Sequence, residues 1–350
     1  MQPEQKSAVD RPASDAATGR CWLVTRGPDG GVTAGIAALP AAIGGGDEGP
    51  AAAIRVEAAG FNYKDALAST GHPGVMRITP LVPGIDAAGT LLEAAAGLPV
   101  GAAVVATSLG MGETRHGGFA TVVRAPAAAI LPRPPGLTAG DAMALGTAGL
   151  TALLACDRLA ALVDARHARA GESWLVTGAS GGVGMLAVAC LAAAGRRVVA
   201  CSRKPAARAP LEALGAAEVV GPEAVVDSSS KSLAAGRWAG VVDTVGGPLL
   251  AAVLKSVRPG GAVAALGMAG GVELPTTVHP FILRGVTLAG IDIATVATPD
   301  DRRALWPRLA DLWPRVRGHF PVTGFGLEQV GEWSARMLRG ETVGRGVVLP

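Results

Sequence analysis

Residues 178–184, Gly-Ala-Ser-Gly-Gly-Val-Gly, stand between an apolar run, "SWLVT", and a segment of small and apolar residues, "MLAVACLAAAG". A strand that turns straight into a helix through glycines offers an anion free backbone N–H groups and the positive end of the helix dipole. A side chain at Gly181 or Gly182 would obstruct a pyrophosphate approaching that backbone, and Gly184 lets the helix pack against the strand. The chemistry served is dinucleotide binding at Ser180, Gly181, Gly182 and Val183; the competing reading is a merely structural turn. The next apolar strand ends in "VVACSRKPAAR", which supplies Ser202, Arg203 and Lys204, with Arg208 about one turn further on. A free ribose 2′-hydroxyl is usually held at this place by Asp or Glu. A hydroxyl and three cations with no competing acid suit a 2′-phosphate, so the expected cofactor is NADPH, against the alternative of a solvated basic loop.

A second chemical signal is a rarity. The 350 residues contain one tyrosine, Tyr63, in "GFNYKDALASTGH". Aromatic residues make up only 3% of the chain, so its core is aliphatic and shows no general need for a phenol. Tyr63 is therefore a candidate site residue, weighed against a leftover core ring. Asn62 and Asp65 are expected to fix the turn that presents it, and Lys64 to face solvent.

These residues need elements to hold them. From 171 onward, apolar strands alternate with helical segments: "SWLVTG", "GVGMLAVACLAAAG", "RRVVACS", "KPAARAPLEALGA", "AEVV", "WAGVVDTVG", "GPLLAAVLKSV", "GAVAALG" and "GVTLAGI". That rhythm predicts parallel βαβ units with both sheet faces covered. Residues 21–145 read instead as short strands separated by Gly and Pro, a small β-rich unit or partial barrel. The prolines of "LPRPPGLTAGDAMAL" forbid a helix before Thr138, and a helical pattern starts near Asp141. In the tail, "RRALWPRLADLWPRV" has helical spacing of Leu and Trp. The expected division is a disordered tail over 1–20, a β-rich domain over 21–145 and 293–350, and a cofactor domain over 146–292.

Composition excludes several classes. A length of 350 residues suits two domains. A net charge of +3, with scattered basic residues, gives no nucleic-acid footprint. No run of about 18 consecutive apolar residues predicts a membrane span, and the polar start lacks a secretory apolar core. Cys21, Cys156, Cys190 and Cys201 show no paired spacing, so reduced thiols in a cytoplasmic protein are expected.

The order of a β-rich unit and then a dinucleotide fold resembles the medium-chain dehydrogenase/reductase superfamily over about 21–350. That resemblance implies an α/β protein: a GroES-like β-rich catalytic domain plus a Rossmann doubly wound parallel sheet. Where zinc-dependent members carry their Cys, His and Cys ligands, this chain has Asn62, Ile85 (in "PGIDAAGT") and Thr147 (in "LGTAGLTA"). An amide and an isoleucine cannot replace a thiolate and an imidazole, so no catalytic metal is expected.

"FNYKDALASTG", "PLVPGIDAAGT", "GTAGLTA", "VTGASGGVG", "DTVGG", "LPTTVHPFILRGVTLAGID" and the terminal "GRGVV" resemble the zinc-free quinone oxidoreductase branch, and within it the acrylyl-CoA reductase group. The resemblance implies hydride delivery from NADPH to the β-carbon of a small 2-enoyl thioester, carried on CoA or acyl carrier protein. It places Tyr63 at the nicotinamide end of the cofactor, with the α-carbon proton coming from Tyr63 or from water. It also implies cofactor contacts for Thr147, Leu266 and Ile282, a cleft-facing Arg345 that meets cofactor phosphate or substrate unless it is a surface residue, and a homodimer. Substrate-side candidates are Asn62, Arg77 and Arg115, the two arginines serving CoA phosphates. His72-Pro73-Gly74 and Thr114-Arg115-His116 depart from the group's pattern at the expected pocket edge. The rival readings are an NADPH-dependent quinone or enone reductase, which needs no such cations, and a cofactor-binding protein without turnover.

Overall fold

The computed structural model describes residues 19–40, 50–164, 171–227, 229, 231–294 and 296–350. The expected disordered tail, 1–20, lies outside the described residues as far as position 18. Strands β1 (Arg20–Arg26) and β2 (Val32–Ala38) pair as an antiparallel hairpin. There follow β3 (Ala51–Phe61), α1 (Tyr63–Ser69), β4 (Asp86–Leu91), β5 (Ala103–Thr107), β6 (Val122–Pro126) and β7 (Ile130–Pro132). Helix α2 (Ala139–Asp164) leads into β8 (Ser173–Thr177), α3 (Gly182–Ala193), β9 (Arg197–Cys201), α4 (Arg208–Ala213) and β10 (Ala216–Val220). Then come β11 (Trp238–Asp243), α5 (Gly247–Leu254), β12 (Val257–Ala265), α6 (His279–Arg284) and β13 (Thr287–Gly290). The chain closes with α7 (Pro299–Val316), β14 (Val322–Phe325), α8 (Val330–Leu338) and β15 (Arg345–Val348).

Six strands form a wholly parallel sheet in the order β10-β9-β8-β11-β12-β13. Its interior strands are continuous apolar runs because helices cover both faces; all six residues of β11 are buried. The strand order reverses between β8 and β11, and in such sheets ligands bind in the crevice beyond the strands' carboxyl ends at that reversal. The second sheet runs β14-β15-β3-β4-β5-β7, with β6 also paired to β3. Its pairings are antiparallel except β14 with β15. The last strand, β15, thus returns the C-terminal segment to the sheet begun by β3.

Helix α2 joins the two sheets' cores. It starts where the prolines permit, capped by Thr138 and Asp141: the Thr138 N–H donates to the Asp141 carboxylate at 3.0 Å, and the Asp141 N–H to the Thr138 hydroxyl at 3.0 Å. It breaks at Gly146, whose φ of 45° and ψ of −150° suit glycine alone. Its 139–163 stretch is long and apolar enough to cross a membrane, although polar residues interrupt the apolar run. In the fold it is a core helix, with Met143, Leu145, Leu150 and Leu159 wholly buried.

Helix α7 forms despite Pro307 and Pro314, because Leu305, Trp306, Leu309, Trp313 and Val316 bury one face and Trp313 donates to Asp141 of α2 at 2.8 Å. The 204–216 region differs from the single helix its spacing suggests. A short 3₁₀ turn, Pro205–Ala207, precedes α4, since the prolines at 205 and 210 supply no backbone N–H.

Candidate active site

At the end of β8 the chain turns at Gly178, and Gly181 opens α3 as its N-cap. A Cβ on Gly184 would lie 2.6 Å from the Gly178 carbonyl oxygen and 2.7 Å from the Ala179 Cα, so the helix packs on its own turn only with glycine there. A Cβ on Gly181 would meet nothing nearer than the Gly178 oxygen at 3.6 Å. The outer side of the turn is therefore an open cradle of the kind a pyrophosphate needs, and the dinucleotide reading fits it.

The basic residues at the end of β9 share one concavity. Ser202, Arg203, Lys204 and Arg208 line a pocket of about 340 Å³ together with Val219, Gly221 and Glu223. Arg208 donates to the Val219 carbonyl at 2.9 Å and pairs with Glu212 at 3.2 Å. Lys204 donates its ammonium to the Thr342 carbonyl oxygen. Burial, and then the neighbouring Arg203 charge, lower the Lys204 pKa. Glu223 on the wall is an acid that the sequence reading did not place here, because it arrives from the turn after β10.

The segment before β15 packs along one side of the glycine turn. The Gly344 N–H donates to the Ser180 carbonyl at 2.9 Å, and Gly344 forms a parallel bridge with Gly181. The Arg345 side chain then passes close to Gly182, where a Cβ would sit 3.1 Å from the Arg345 Cδ. Its guanidinium turns inward. Arg345 is 3% exposed and donates to the Phe61 carbonyl at 2.7 Å, the Asn62 side-chain oxygen at 2.6 Å and Asp86 at 3.0 Å. Arg345 is thus no surface residue, and its charged end is engaged beneath the 60–63 segment. Burial lowers its pKa, with Asp86 and Asp65 acting in the opposite direction.

Asp86, fully buried, is the hub of this cluster. Besides Arg345 it accepts from the Asn62 side-chain amide at 3.0 Å, from the Thr147 N–H at 3.0 Å and from the Thr147 hydroxyl. The break at Gly146 makes this possible, because a Cβ there would sit 2.6 Å from the Asp86 carboxylate. The structure therefore gathers Asn62 and Thr147 around the residue after Ile85, bringing together the three positions singled out from the sequence. Sequence reading missed Asp86 itself; an acid inside an apolar strand, "PGIDAAGT", was its only signal.

Asn62 caps α1. Its N–H and side-chain amide donate to Asp65 at 2.8 and 3.0 Å, and the other Asp65 oxygen accepts from the Gly84 and Ile85 N–H groups at 3.1 and 2.9 Å. Burial first, then the Asp86 charge, push the Asp65 carboxyl up to about 7 despite these donors. The turn so fixed leaves Tyr63 at the head of α1 and 37% exposed, which excludes a core ring. Lys64 is not simply solvated; it pairs with Glu113 at 3.1 Å.

The segments that flank the two loops departing from the group's pattern are joined by hydrogen bonds. The Arg77 N–H donates to the Glu113 carbonyl at 3.0 Å, and His116 Nδ1 accepts from the Val82 N–H at 3.1 Å, with burial lowering the His116 pKa. The Arg77 side chain is exposed and Arg115 is half-buried. Leu266 follows β12 at the carboxyl end of the parallel sheet, half-buried. Ile282 is 72% exposed on α6, beside exposed Val278 and Leu283.

The chain matches two family models: the alcohol dehydrogenase GroES-like domain over 49–135 and the zinc-binding dehydrogenase over 182–311. It is 45% identical over 262 residues to the probable acrylyl-CoA reductase AcuI of Escherichia coli, covering 74% of this chain and 79% of that protein. It is 43% identical over 265 residues to the putative quinone oxidoreductase YhfP of Bacillus subtilis, covering 75% and 78%. The structure of yhfP with NAD bound superposes with a TM-score of 0.84 at 36% identity, covering 96% of this chain and 100% of that one. The Salmonella enterica yhdH oxidoreductase, solved in complex with NADP, gives a TM-score of 0.84 at 36% identity, covering 95% and 99%. With a glycine cradle at the head of a doubly wound sheet, an antiparallel sheet beside it and these likenesses, the chain belongs to the medium-chain dehydrogenase/reductase superfamily, among the oxidoreductases related to quinone oxidoreductases and acrylyl-CoA reductases.

Proposed function

We propose that the chain reduces the α,β carbon–carbon double bond of a small 2-enoyl thioester, with NADPH as the cofactor and no metal. The observation that carries the cofactor part is the pocket lined by Ser202, Arg203, Lys204 and Arg208 beside the open glycine turn. The relatives named acrylyl-CoA reductases support the thioester part. NADPH, when bound, supplies hydride for the β-carbon. The protein's part is to hold and orient. Ser180, Gly181, Gly182 and Val183 seat the pyrophosphate on the start of α3, and the cations after β9 take the 2′-phosphate. Tyr63 is assigned to the nicotinamide end, with Thr147, Leu266 and Ile282 as further cofactor contacts. Arg345 acts by anchoring Asn62 under Tyr63. Backbone N–H groups facing the thioester oxygen meet the charge that develops there. Tyr63 or water protonates the α-carbon. Arg77 and Arg115 flank the acyl carrier, CoA or acyl carrier protein.

The decisive comparison is kcat/KM for acrylyl-CoA, crotonyl-CoA and a simple benzoquinone with NADPH. The thioesters should win, and acrylyl-CoA is the first to try. A quinone ahead by tenfold, about 1.4 kcal/mol of transition-state stabilisation, would move the assignment to a quinone or enone reductase, the reading that the likeness to YhfP favours. Absence of any cofactor consumption would leave a cofactor-binding protein without turnover.

Asn62, Ile85 and Thr147 stand at the metal-ligand positions, so treatment with a strong chelator should leave kcat unchanged. Activity lost on chelation and restored by zinc would refute this part.

The proposed division is a cofactor domain over 146–292 between catalytic segments 21–145 and 293–350, working in the cytoplasm as a homodimer. Two observations support the dimer: β13 ends the parallel sheet, and Met268, Val272, Val278, Ile282 and Leu283 are exposed nearby in sequence. Sedimentation should give twice the 34.7 kDa of one chain; a monomer at micromolar concentration would overturn it.

A further inference from the structure

A cavity of about 280 Å³ opens between α2, α3 and α7, with Cys156 and Asp157 of α2, Cys190 of α3 and Arg308 of α7 in its wall. Trp174, at the start of β8, also lines it, which places the cavity toward the opposite end of that strand from the glycine turn. Two of the four cysteines therefore share one space, although their positions in the sequence show no pairing. The Cys156 thiol lies against α3, with its sulfur 3.9 Å from the Ala187 carbonyl oxygen. Cys190 is one turn further along the same face of that helix. Both cysteines stand in the wall of the same cavity, and the neighbouring Cys190 thiol, ahead of burial, raises the Cys156 pKa. Cys156 is half-buried and Cys190 is 8% exposed, so Cys156 is the thiol nearer solvent. Arg308 is held beside them by a two-pronged pair with Asp157, at 2.6 and 2.8 Å. Cys21 and Cys201, by contrast, are buried in β1 and β9.

We propose that Cys156 and Cys190 are an oxidisable dithiol that closes to an intramolecular disulfide at the expense of a low-molecular-weight disulfide, clasping α2 to α3. The Cys156 thiolate attacks one sulfur of the small disulfide and expels its other half as a thiol. The Cys190 thiolate then attacks the Cys156 sulfur of the mixed disulfide and expels the second small thiol. Two protein thiols are oxidised, one small disulfide is reduced to two thiols, and the two protein protons end on the released thiols. The two side chains start in one cavity wall, with the Cys156 sulfur one turn of α3 from Cys190, so closure asks for side-chain rotation and approach to the covalent distance. The neighbouring Cys190 thiol and burial hold the Cys156 pKa well above the usual thiol range, which keeps the thiolate scarce and the exchange slow at neutral pH. The clasp joins the helix that begins again at Thr147 to the helix that begins at the glycine turn, about 12 Å along α3 from that turn.

The test uses the folded full chain and oxidised glutathione. Free thiols, titrated after denaturation, should fall from four to two. Peptide mapping without reductant should find Cys156 linked to Cys190, and the unfolding temperature should rise and fall back after dithiothreitol. Cys190→Ser should form no internal link and show no reversible rise. Four thiols remaining, a stable glutathione adduct on Cys156 with Cys190 still free, or a link to Cys21 or Cys201 would each overturn the proposal.

Discussion

Replacing Arg203 and Lys204 together by alanine should raise the apparent KM for NADPH by roughly a hundredfold and leave NADH nearly unchanged. Each charge-assisted contact to a phosphate contributes about 1.5–3 kcal/mol, and two such contacts amount to two or more powers of ten in affinity. Both residues line the pocket after β9, and Lys204 also reaches the Thr342 carbonyl on the segment that leads to Arg345. The double variant tests binding rather than folding, because its unfolding temperature should move by only a few degrees. Steady-state kinetics with both cofactors reads the result. Equal use of NADPH and NADH by the unmodified protein would remove the premise, and the pocket would then serve some other anion.

Asp86→Ala should lower the unfolding free energy by about 3–5 kcal/mol, the cost of leaving a buried charge without its partner. Arg345 would keep its guanidinium at 3% exposure, bonded to Phe61 and Asn62 but to no carboxylate, with only the more distant Asp65 charge left to act on it. Thr147 and Asn62 would lose their common acceptor as well. The pair Asp86→Leu with Arg345→Met should recover part of that loss, since the buried guanidinium goes with its carboxylate and Asp65 keeps its Asn62, Gly84 and Ile85 donors. Thermal or denaturant unfolding of the two single variants and the double variant measures this. A single variant within 1 kcal/mol of the parent would show that the cluster is hydrated and that Asp86 is not its hub. The same series bears on function, since the 60–63 segment that carries Tyr63 is tied down through Asn62. In the double variant the loss of activity should exceed the loss of stability.

Much of this architecture was legible without coordinates. The parallel sheet was readable because continuous apolar strands alternate with helical segments, and that pattern has few solutions. The glycine turn was readable because close backbone approach demands a residue without a side chain at Gly184, and the pocket after β9 because a cluster of cations follows one strand directly. All of these signals are local: the residues that act together lie within about thirty positions of each other.

Tertiary structure decided what depends on distant segments. β2 and β14 carry weak patterns, since exposed or edge strands need little apolar alternation, and β15, though buried between β14 and β3, is only four residues long. Arg345 could be read as surface or cleft from "GRGVV" alone; only the pairing of β15 with β3 carries it to Asp86, 259 positions away. Glu223 reaches the cation pocket because β10 pairs with β9, and Cys156 shares a cavity with Cys190 because α2 packs on α3. Sequence records which side chains can do chemistry and how the neighbouring backbone folds. A buried charge, an acid on a binding wall or a cavity shared by two thiols is a property of which surfaces the fold brings together, and local periodicity carries no information about that.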